Sequence, residues 1–299
     1  MIDLTVLILT YNEEKHIERV ISNAKKITDK IIVVDSKSTD NTKKISESLG
    51  ARFYEYDWTS SSIWAEKINW ALTEIPIETN WIMRLDADEY MTDNFISTII
   101  DTLPQIDAKV NAISVIRREY FMGRWMKHGG VYPKSMIRIF KKGKAVFENR
   151  LLDEHVEVND GEILYLNIDI CDDRDISLYE WTTKHNGYSN SEAIMLLDKE
   201  LNIFQSDDTS FKLDKNSLNK RKKKDMYSKF PLFWRVWLLF IYRFVFKMAF
   251  LDGIEGFLYS FFQCLWYRSL ADAKIYELKK QFGGDSKKIV EYVKGKYKI

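Results

Sequence analysis

Asp86-Ala87-Asp88-Glu89 closes the apolar stretch Trp81-Ile82-Met83-Arg84-Leu85, which sets acidic groups where a strand has just ended. Residues i and i+2 of an extended segment point the same way, so Asp86 and Asp88 can converge on one hard divalent cation. Such a cation prefers carboxylate oxygens and bridges readily to a diphosphate. In a chain with 44 acidic residues an isolated Asp-x-Asp is more often a solvated turn, so its meaning depends on two turns upstream. The first is Thr10-Tyr11-Asn12-Glu13-Glu14, after the apolar run Leu4 to Leu9. The second is Asp35-Ser36-Lys37-Ser38-Thr39-Asp40-Asn41-Thr42, after Ile31 to Val34. They offer an aromatic ring for base stacking and carboxylates that accept a base N–H or ribose hydroxyls. Asp35 and Asp40 are equally of the type that caps a following helix. No G-x-G-x-x-G and no Walker pattern is present, which disfavours a dinucleotide fold or a P-loop.

The elements that must position these turns alternate short apolar runs with helical periodicity up to about residue 105. That pattern argues for βα units around a mainly parallel sheet, whose carboxyl ends are where open α/β sheets bind ligands. Ile17, Val20, Ile21 and Ala24 repeat at helical spacing, as do Trp64, Ile68, Ala71 and Leu72, and Phe95, Ile96, Ile99 and Leu103. Between 112 and 168 three runs read as strands, Ile113 to Ile116, Met136 to Phe140 and Ile163 to Ile168, and are expected to form a mixed sheet covering one end of the parallel one. Asp175 to about Glu200 reads as a long helix with Trp181, His185, Tyr188 and Glu192 along one face.

At 299 residues with 45% apolar content the chain can bury a large core, which excludes a disordered protein. The two cysteines, Cys171 and Cys264, stand apart from any His/Cys cluster. Neither a disulfide framework nor a zinc site is indicated, and a reducing compartment, the cytoplasm, is expected. No export signal is read at the N-terminus. The net charge of +1 conceals a division: residues 220–299 hold 18 Lys/Arg against 7 Asp/Glu, leaving the first 219 residues acidic. The basic run Lys220-Arg221-Lys222-Lys223-Lys224 precedes two apolar-aromatic stretches, Phe230 to Phe250 and Phe257 to Trp266. Neither suits a membrane span, since Arg235, Arg243 and Lys247 interrupt the first and the second is too short. Lys229, Arg235, Arg243 and Lys247 fall in one arc of a helical projection, as in a helix lying in a membrane interface. A buried helix with charges at its rim, or an αα-hairpin broken at Asp252-Gly253 and Gly256, fits the same residues. Aromatic content favours an anionic membrane surface over nucleic acid as the partner.

The three ordered motifs at residues 10–13, 34–42 and 86–89 resemble the family 2 inverting glycosyltransferases of GT-A fold. Tyr132-Pro133, Arg138-Ile139-Phe140, Asp153-Glu154-His155, Lys184-His185-x-x-Tyr188 and Leu251-Asp252-Gly253-x-x-Gly256 are similar to a bacterial subgroup that includes lipopolysaccharide core β-glucosyltransferases. The resemblance implies an α/β fold, a Rossmann-like mixed sheet flanked by helices. It also implies a metal-dependent transfer from a UDP-sugar, with Mg²⁺ or Mn²⁺ as cofactor. By its pattern Thr10, Tyr11, Glu13, Asp35 and Ser38 bind the nucleoside side, Asp40 and Lys67 help hold the nucleotide, and Asp86, Ala87 and Asp88 face ribose, sugar and metal. Asp88 is the direct metal ligand. Glu154, or Asp153 beside it, is the candidate base; the subgroup commonly has His-Glu where this chain has Asp153-Glu154. His128, Arg138 and His185 are candidates for acceptor or phosphate binding, each with a structural alternative.

The expected organisation is a glycosyltransferase domain over residues 1–200, a linker over 201–219 and a basic aromatic membrane-associating helical region over 220–299. The expected function is transfer of a hexose or N-acetylhexosamine to a lipid-linked glycan acceptor at the inner face of the cell membrane, with residues 220–270 on the anionic surface. A homo-oligomer is compatible with the sequence. Transfer to a polyprenyl phosphate and a non-catalytic sugar-nucleotide-binding scaffold are the alternatives.

Overall fold

The computed structural model describes residues 2–59, 64–148, 155–203 and 215–297. The first half is built as the periodicity predicts. Strands β1 (Leu4–Thr10), β2 (Ile31–Asp35), β3 (Arg52–Glu55) and β4 (Trp81–Asp86) alternate with helices α1 (Ile17–Ala24), α2 (Thr42–Ser48) and α3 (Trp64–Glu74). The four strands are parallel in the order β3-β2-β1-β4, with Thr10 opposite Asp35 and Leu9 opposite Asp86. Every residue of β1 is buried, as befits a strand covered on both faces. The pleat sorts its side chains: Leu4, Val6 and Ile8 pack with Ile17, Val20 and Ile21 of α1, whereas Leu7 and Leu9 pack with Ile68 and Ala71 of α3.

The second half extends the same sheet edge to edge instead of covering its end, which corrects the sequence expectation. After β5 (Glu89–Met91) and α4 (Asp93–Thr102) come β6 (Val110–Phe121), β7 (Arg124–Trp125), β8 (Lys134–Lys141), β9 (Ala145–Phe147), β10 (Val156–Val158) and β11 (Glu162–Asp172). In space the sheet continues from β4 through β8, β6 and β11 to β5, with β7 paired to β6. Because β8 is antiparallel to both β4 and β6, and β11 is parallel to β6, the carboxyl ends of β1, β2, β4, β6 and β11 lie along one edge. β9 and β10 form a separate hairpin.

Helix α5 (Leu178–Leu201) opens on a capping box, Ser177 with Glu180, and ends at the left-handed Asn202. The expected linker falls largely on residues outside those described, and its last part belongs to α6 (Lys215–Ser228), so the basic run is helical. Next come α7 (Trp234–Ile241), α8 (Gly253–Ser260), α9 (Tyr267–Gln281) and α10 (Ser286–Tyr297). They share apolar clusters with the rest: Ile275, Ile289 and Val293 pack with Ala193, Ile194 and Leu197 of α5, and Tyr259 packs with Phe121 and Trp181.

The stretch Phe230 to Phe250 is not one interfacial helix. α7 runs into a π-helical turn at Tyr242–Phe246, and the chain reverses at the left-handed Met248 before α8, giving a helical hairpin. The hairpin closes because residue 256 is glycine: a Cβ there would sit 2.2 Å from Ala249 O. Arg235 does not face solvent with the other cations. It is buried, its Nε donating to Asp272 at 3.0 Å. Trp234, Phe246 and Ile254 are each more than 70% exposed, with Trp237, Leu238 and Val245 beside them. Among the described residues no helix is long and apolar enough to cross a membrane.

Candidate active site

Strands β2, β1 and β4 end side by side, so the three motif turns form one surface. Asp35 is buried and organises two of them: it accepts from Thr10 Oγ1 and Ser38 Oγ at 2.6 Å each, and from Ser38 N at 2.6 Å. Ser38 Oγ in turn accepts from Asn12 N at 2.7 Å, and Asn12 Oδ1 from Thr39 N at 2.8 Å. Asp40 ties the loops further down. It accepts from Thr42 N (3.0 Å), Thr42 Oγ1 (2.5 Å) and Glu14 N (3.1 Å). Partial burial raises its carboxyl, but these hydrogen bonds outweigh that and bring it below the usual range. The helix-start role thus describes Asp40 well. Tyr11 stands 54% exposed above these turns, a free aromatic face. Glu13 pairs with His16 at 2.7 Å.

Lys67 is wholly buried beneath the surface. Its Nζ donates to Thr10 O at 2.7 Å and Ser36 Oγ at 2.8 Å, which links the ends of β1 and β2 from behind. Burial pushes its ammonium down to about 7 against the pull of Asp35 and Asp86. Lys67 therefore ties the ends of β1 and β2 together from beneath.

Asp86 and Asp88 emerge together, while Ala87 turns into the core and leaves only its backbone to a ligand. Asp86 is held by Arg84 at 3.0 Å and Arg138 at 3.4 Å. Although burial opposes it, these guanidiniums keep its carboxyl well below the ordinary range. Arg138 also pairs with the buried Glu89, so it serves the carboxylates and not an open phosphate position. Asp88 meets Arg174 Nε at 2.9 Å. Burial, then the nearby charge of Asp172, raises Asp88 to about 7. This accumulation of negative charge fits a divalent ion, and the donors are hard oxygens. Among the described residues no group of three or more candidate ligands occurs.

The base candidates Asp153 and Glu154 lie outside the described residues. Strand β9, which precedes them in the chain, is tied to α3: Asn69 donates to Phe147 O at 2.8 Å and accepts from Phe147 N at 2.9 Å. The Arg84 guanidinium lies 5.4 Å from the Phe147 ring centre.

His185 lies buried behind this surface, near enough to feel the charges of Arg174 and Glu119. It is buried, stacked on Trp181 at 3.5 Å, with Nδ1 bonded to Trp181 O at 2.8 Å, and burial lowers its pKa to about 4. It packs between α5 and the C-terminal helices, against Gln263 and Tyr267. His128 is bonded through Nδ1 and its backbone N to Asp252 at 2.7 and 2.8 Å. It borders a cleft of about 600 Å³ lined also by Met122, Arg124, Trp125, Lys127 and Leu251. This cleft follows the end of β6, on the same sheet edge as Asp88, and opens beside the exposed apolar residues of the hairpin.

Arg174, Asp172, Arg117 and Glu119 were not singled out by sequence reasoning. Arg117 bridges Glu119 at 2.9 Å and Asp172 at 3.1 Å. Their signal was the dense mixed charge of Arg117-Arg118-Glu119 and Asp172-Asp173-Arg174 at the ends of apolar runs.

The family model "Glycosyl transferase family 2" matches residues 5–157. An uncharacterized glycosyltransferase of Rickettsia typhi is 27% identical over 280 residues, 92% of this chain and 87% of that protein. One from Rickettsia bellii is 39% identical over 92 residues, 30% of this chain and 29% of that protein. A mannosyltransferase of Pyrobaculum calidifontis, solved with GDP-Man and Mn²⁺, is similar over 95% of this chain and 88% of its own, at 14% identity and a TM-score of 0.49.

Proposed function

The chain belongs to glycosyl transferase family 2, and from that premise we propose that it moves a hexose or N-acetylhexosamine from a UDP-sugar, with inversion, to a lipid-linked glycan of the cell envelope. The product class is a lipopolysaccharide core, O-antigen or capsule intermediate. The observation that carries this reading is the alignment of three polar turns on one sheet edge, with Asp86 and Asp88 at its centre.

Tyr11 stacks on the base, and the turns organised by Asp35 and Ser38 receive its polar edge and the ribose. Asp88, with Asp86 beside it, would hold Mg²⁺ or Mn²⁺. The ion supplies Lewis-acid neutralisation of the leaving diphosphate. Glu154, or Asp153, takes the proton of the acceptor hydroxyl; the hydroxyl oxygen bonds to the anomeric carbon from the opposite face as the bond to diphosphate breaks and UDP leaves. The anchoring of Phe147 by Asn69 and its contact with Arg84, the partner of Asp86, support placing that base near the sugar. The cleft bordered by His128, Arg124 and Lys127 is the acceptor side.

The exposed apolar hairpin, with α6 and its basic run nearby in the chain, docks on the cytoplasmic face of an anionic membrane. Aromatic side chains partition into the interface and cations add about 1 kcal/mol each near the surface. The insertion is made by Trp234, Trp237, Phe246 and Ile254, with Arg235 acting as an internal strut.

The test is nucleotide release from a panel of UDP- and GDP-sugars with Mg²⁺ or Mn²⁺ and a membrane lipid extract. Wild type should turn over one UDP-sugar in an acceptor-dependent way. Asp88→Asn should fall roughly 100-fold or more, since a metal contributes several kcal/mol, and Glu154→Gln by a general-base factor of about 10²–10⁴. If Glu154→Gln stays active and Asp153→Asn does not, the base is Asp153. Turnover of no donor sinks the assignment.

A further inference from the structure

We infer that Arg174 is the resident counter-cation of the donor site and makes divalent-metal binding conditional on the nucleotide diphosphate, an inference that rests on the donor-site reading above. Its Nε lies 2.9 Å from Asp88 Oδ2 and 3.3 Å from Asp172 Oδ1. The guanidinium thus neutralises the same carboxylate that would hold a metal. The turn carrying it is fixed to the turn carrying Asp88. Asp173 N donates to Asp88 O at 3.1 Å, and Arg19 spans both turns, donating to Asp88 O at 3.1 Å and to Asp173 O at 2.6 Å. The Arg174 side chain itself remains 33% exposed, so it can swing on a rigid base.

Asp172 does not depend on it. Arg117 holds the other Asp172 oxygen at 3.1 Å and is itself braced by Glu119 at 2.9 Å. When Arg174 turns away, Asp172 keeps a partner and Asp88 alone is released. A divalent ion held at Asp88 without nucleotide would have the Arg174 guanidinium as a neighbour, a like-charge contact that is costly in a half-buried site. A nucleoside diphosphate changes this. Its oxygens match the guanidinium fork, so Arg174 can leave Asp88 for phosphate as the ion takes the carboxylate. Metal and nucleotide then bind with positive coupling, and the coupling is reciprocal.

The experiment titrates Mn²⁺ into the full-length chain, following the electron paramagnetic resonance of free Mn²⁺, with and without UDP. Wild type should bind Mn²⁺ weakly alone and more tightly with UDP. Arg174→Met should bind Mn²⁺ alone roughly tenfold tighter or more than wild type, with the enhancement by UDP reduced by a similar factor. Arg174→Lys, which keeps the charge, should stay near wild type, and Asp88→Asn should lose Mn²⁺ in both states. Should Arg174→Met not fold, Arg174→Gln carries the same comparison. If wild type shows UDP-dependent Mn²⁺ binding but removal of the charge leaves nucleotide-free affinity unchanged or weaker, Arg174 is only a structural partner and the inference is overturned while the donor site stands. If wild type binds no Mn²⁺ even with UDP, both fall.

Discussion

Replacing Lys67 with methionine tests whether the turns after β1 and β2 are held from behind by a buried amine. The side chain is wholly buried, and its ammonium falls from 10.5 to about 7, chiefly because burial removes water that Asp35 and Asp86 only partly replace. Between those two values the unfolded chain holds a proton that the folded chain has released. Stability therefore rises with pH across that window, and the penalty for burying the charge is fully felt below it. The linkage relation gives a gain of about 2 kcal/mol between pH 7 and pH 9 for a shift of this size. Methionine fills similar volume and does not titrate. Urea unfolding of both proteins at pH 7, 8 and 9 should show the wild type gaining about 2 kcal/mol on the variant, with other titrating groups cancelling in the difference. An exposed lysine paired with a carboxylate would move the other way, its contribution fading as it deprotonates. A difference that stays constant, or shrinks with rising pH, refutes the buried-amine account.

Two further outcomes follow from the C-terminal half. Arg235→Ala leaves Asp272 charged and buried, and should cost about 3–5 kcal/mol of stability; urea midpoints of Arg235→Ala and of the double variant with Asp272→Ala check it, since the double variant should recover part of the loss. Changing Trp234, Trp237 and Phe246 together to serine should weaken sedimentation with anionic vesicles roughly 100-fold, from about 3 kcal/mol of lost apolar burial, without lowering the melting temperature; unchanged sedimentation removes the membrane-docking reading.

The parallel half of the fold was legible from its alternating apolar runs and helical periodicity, clearest in α1, where Ile17, Val20, Ile21 and Ala24 are all buried. The three motif turns were legible because polar residues cluster where apolar runs stop. The other half was foreshortened. β6 reaches Phe121 and β11 reaches Asp172, beyond the runs read as strands. Their last residues include Arg117, Arg118, Glu119, Asp169 and Asp172, charged residues past the apolar runs that are paired with one another. A hydropathy pattern cannot register a charge whose partner lies on another strand. For the same reason Arg235 passed for an interfacial cation, since its partner Asp272 is two helices away. His185 shows the converse: its four- and three-residue spacing to Trp181 and Tyr188 placed it correctly on the helix face, but that face is turned toward other helices.

The unbroken sheet has a mechanical consequence. β4 and β8 are hydrogen-bonded neighbours, so the strand carrying Asp86 and the strands ending near Glu119 and Asp172 are planks of one deck. The two halves are joined where Trp81, Ile82 and Met83 pair with Lys141, Phe140 and Ile139. The spacing from Asp86 to the β6 end is then set largely by the pairings of β4, β8 and β6. Adaptation to a longer or bulkier acceptor then falls to the turns along the rim, which can be lengthened or exchanged while the plate beneath keeps its dimensions.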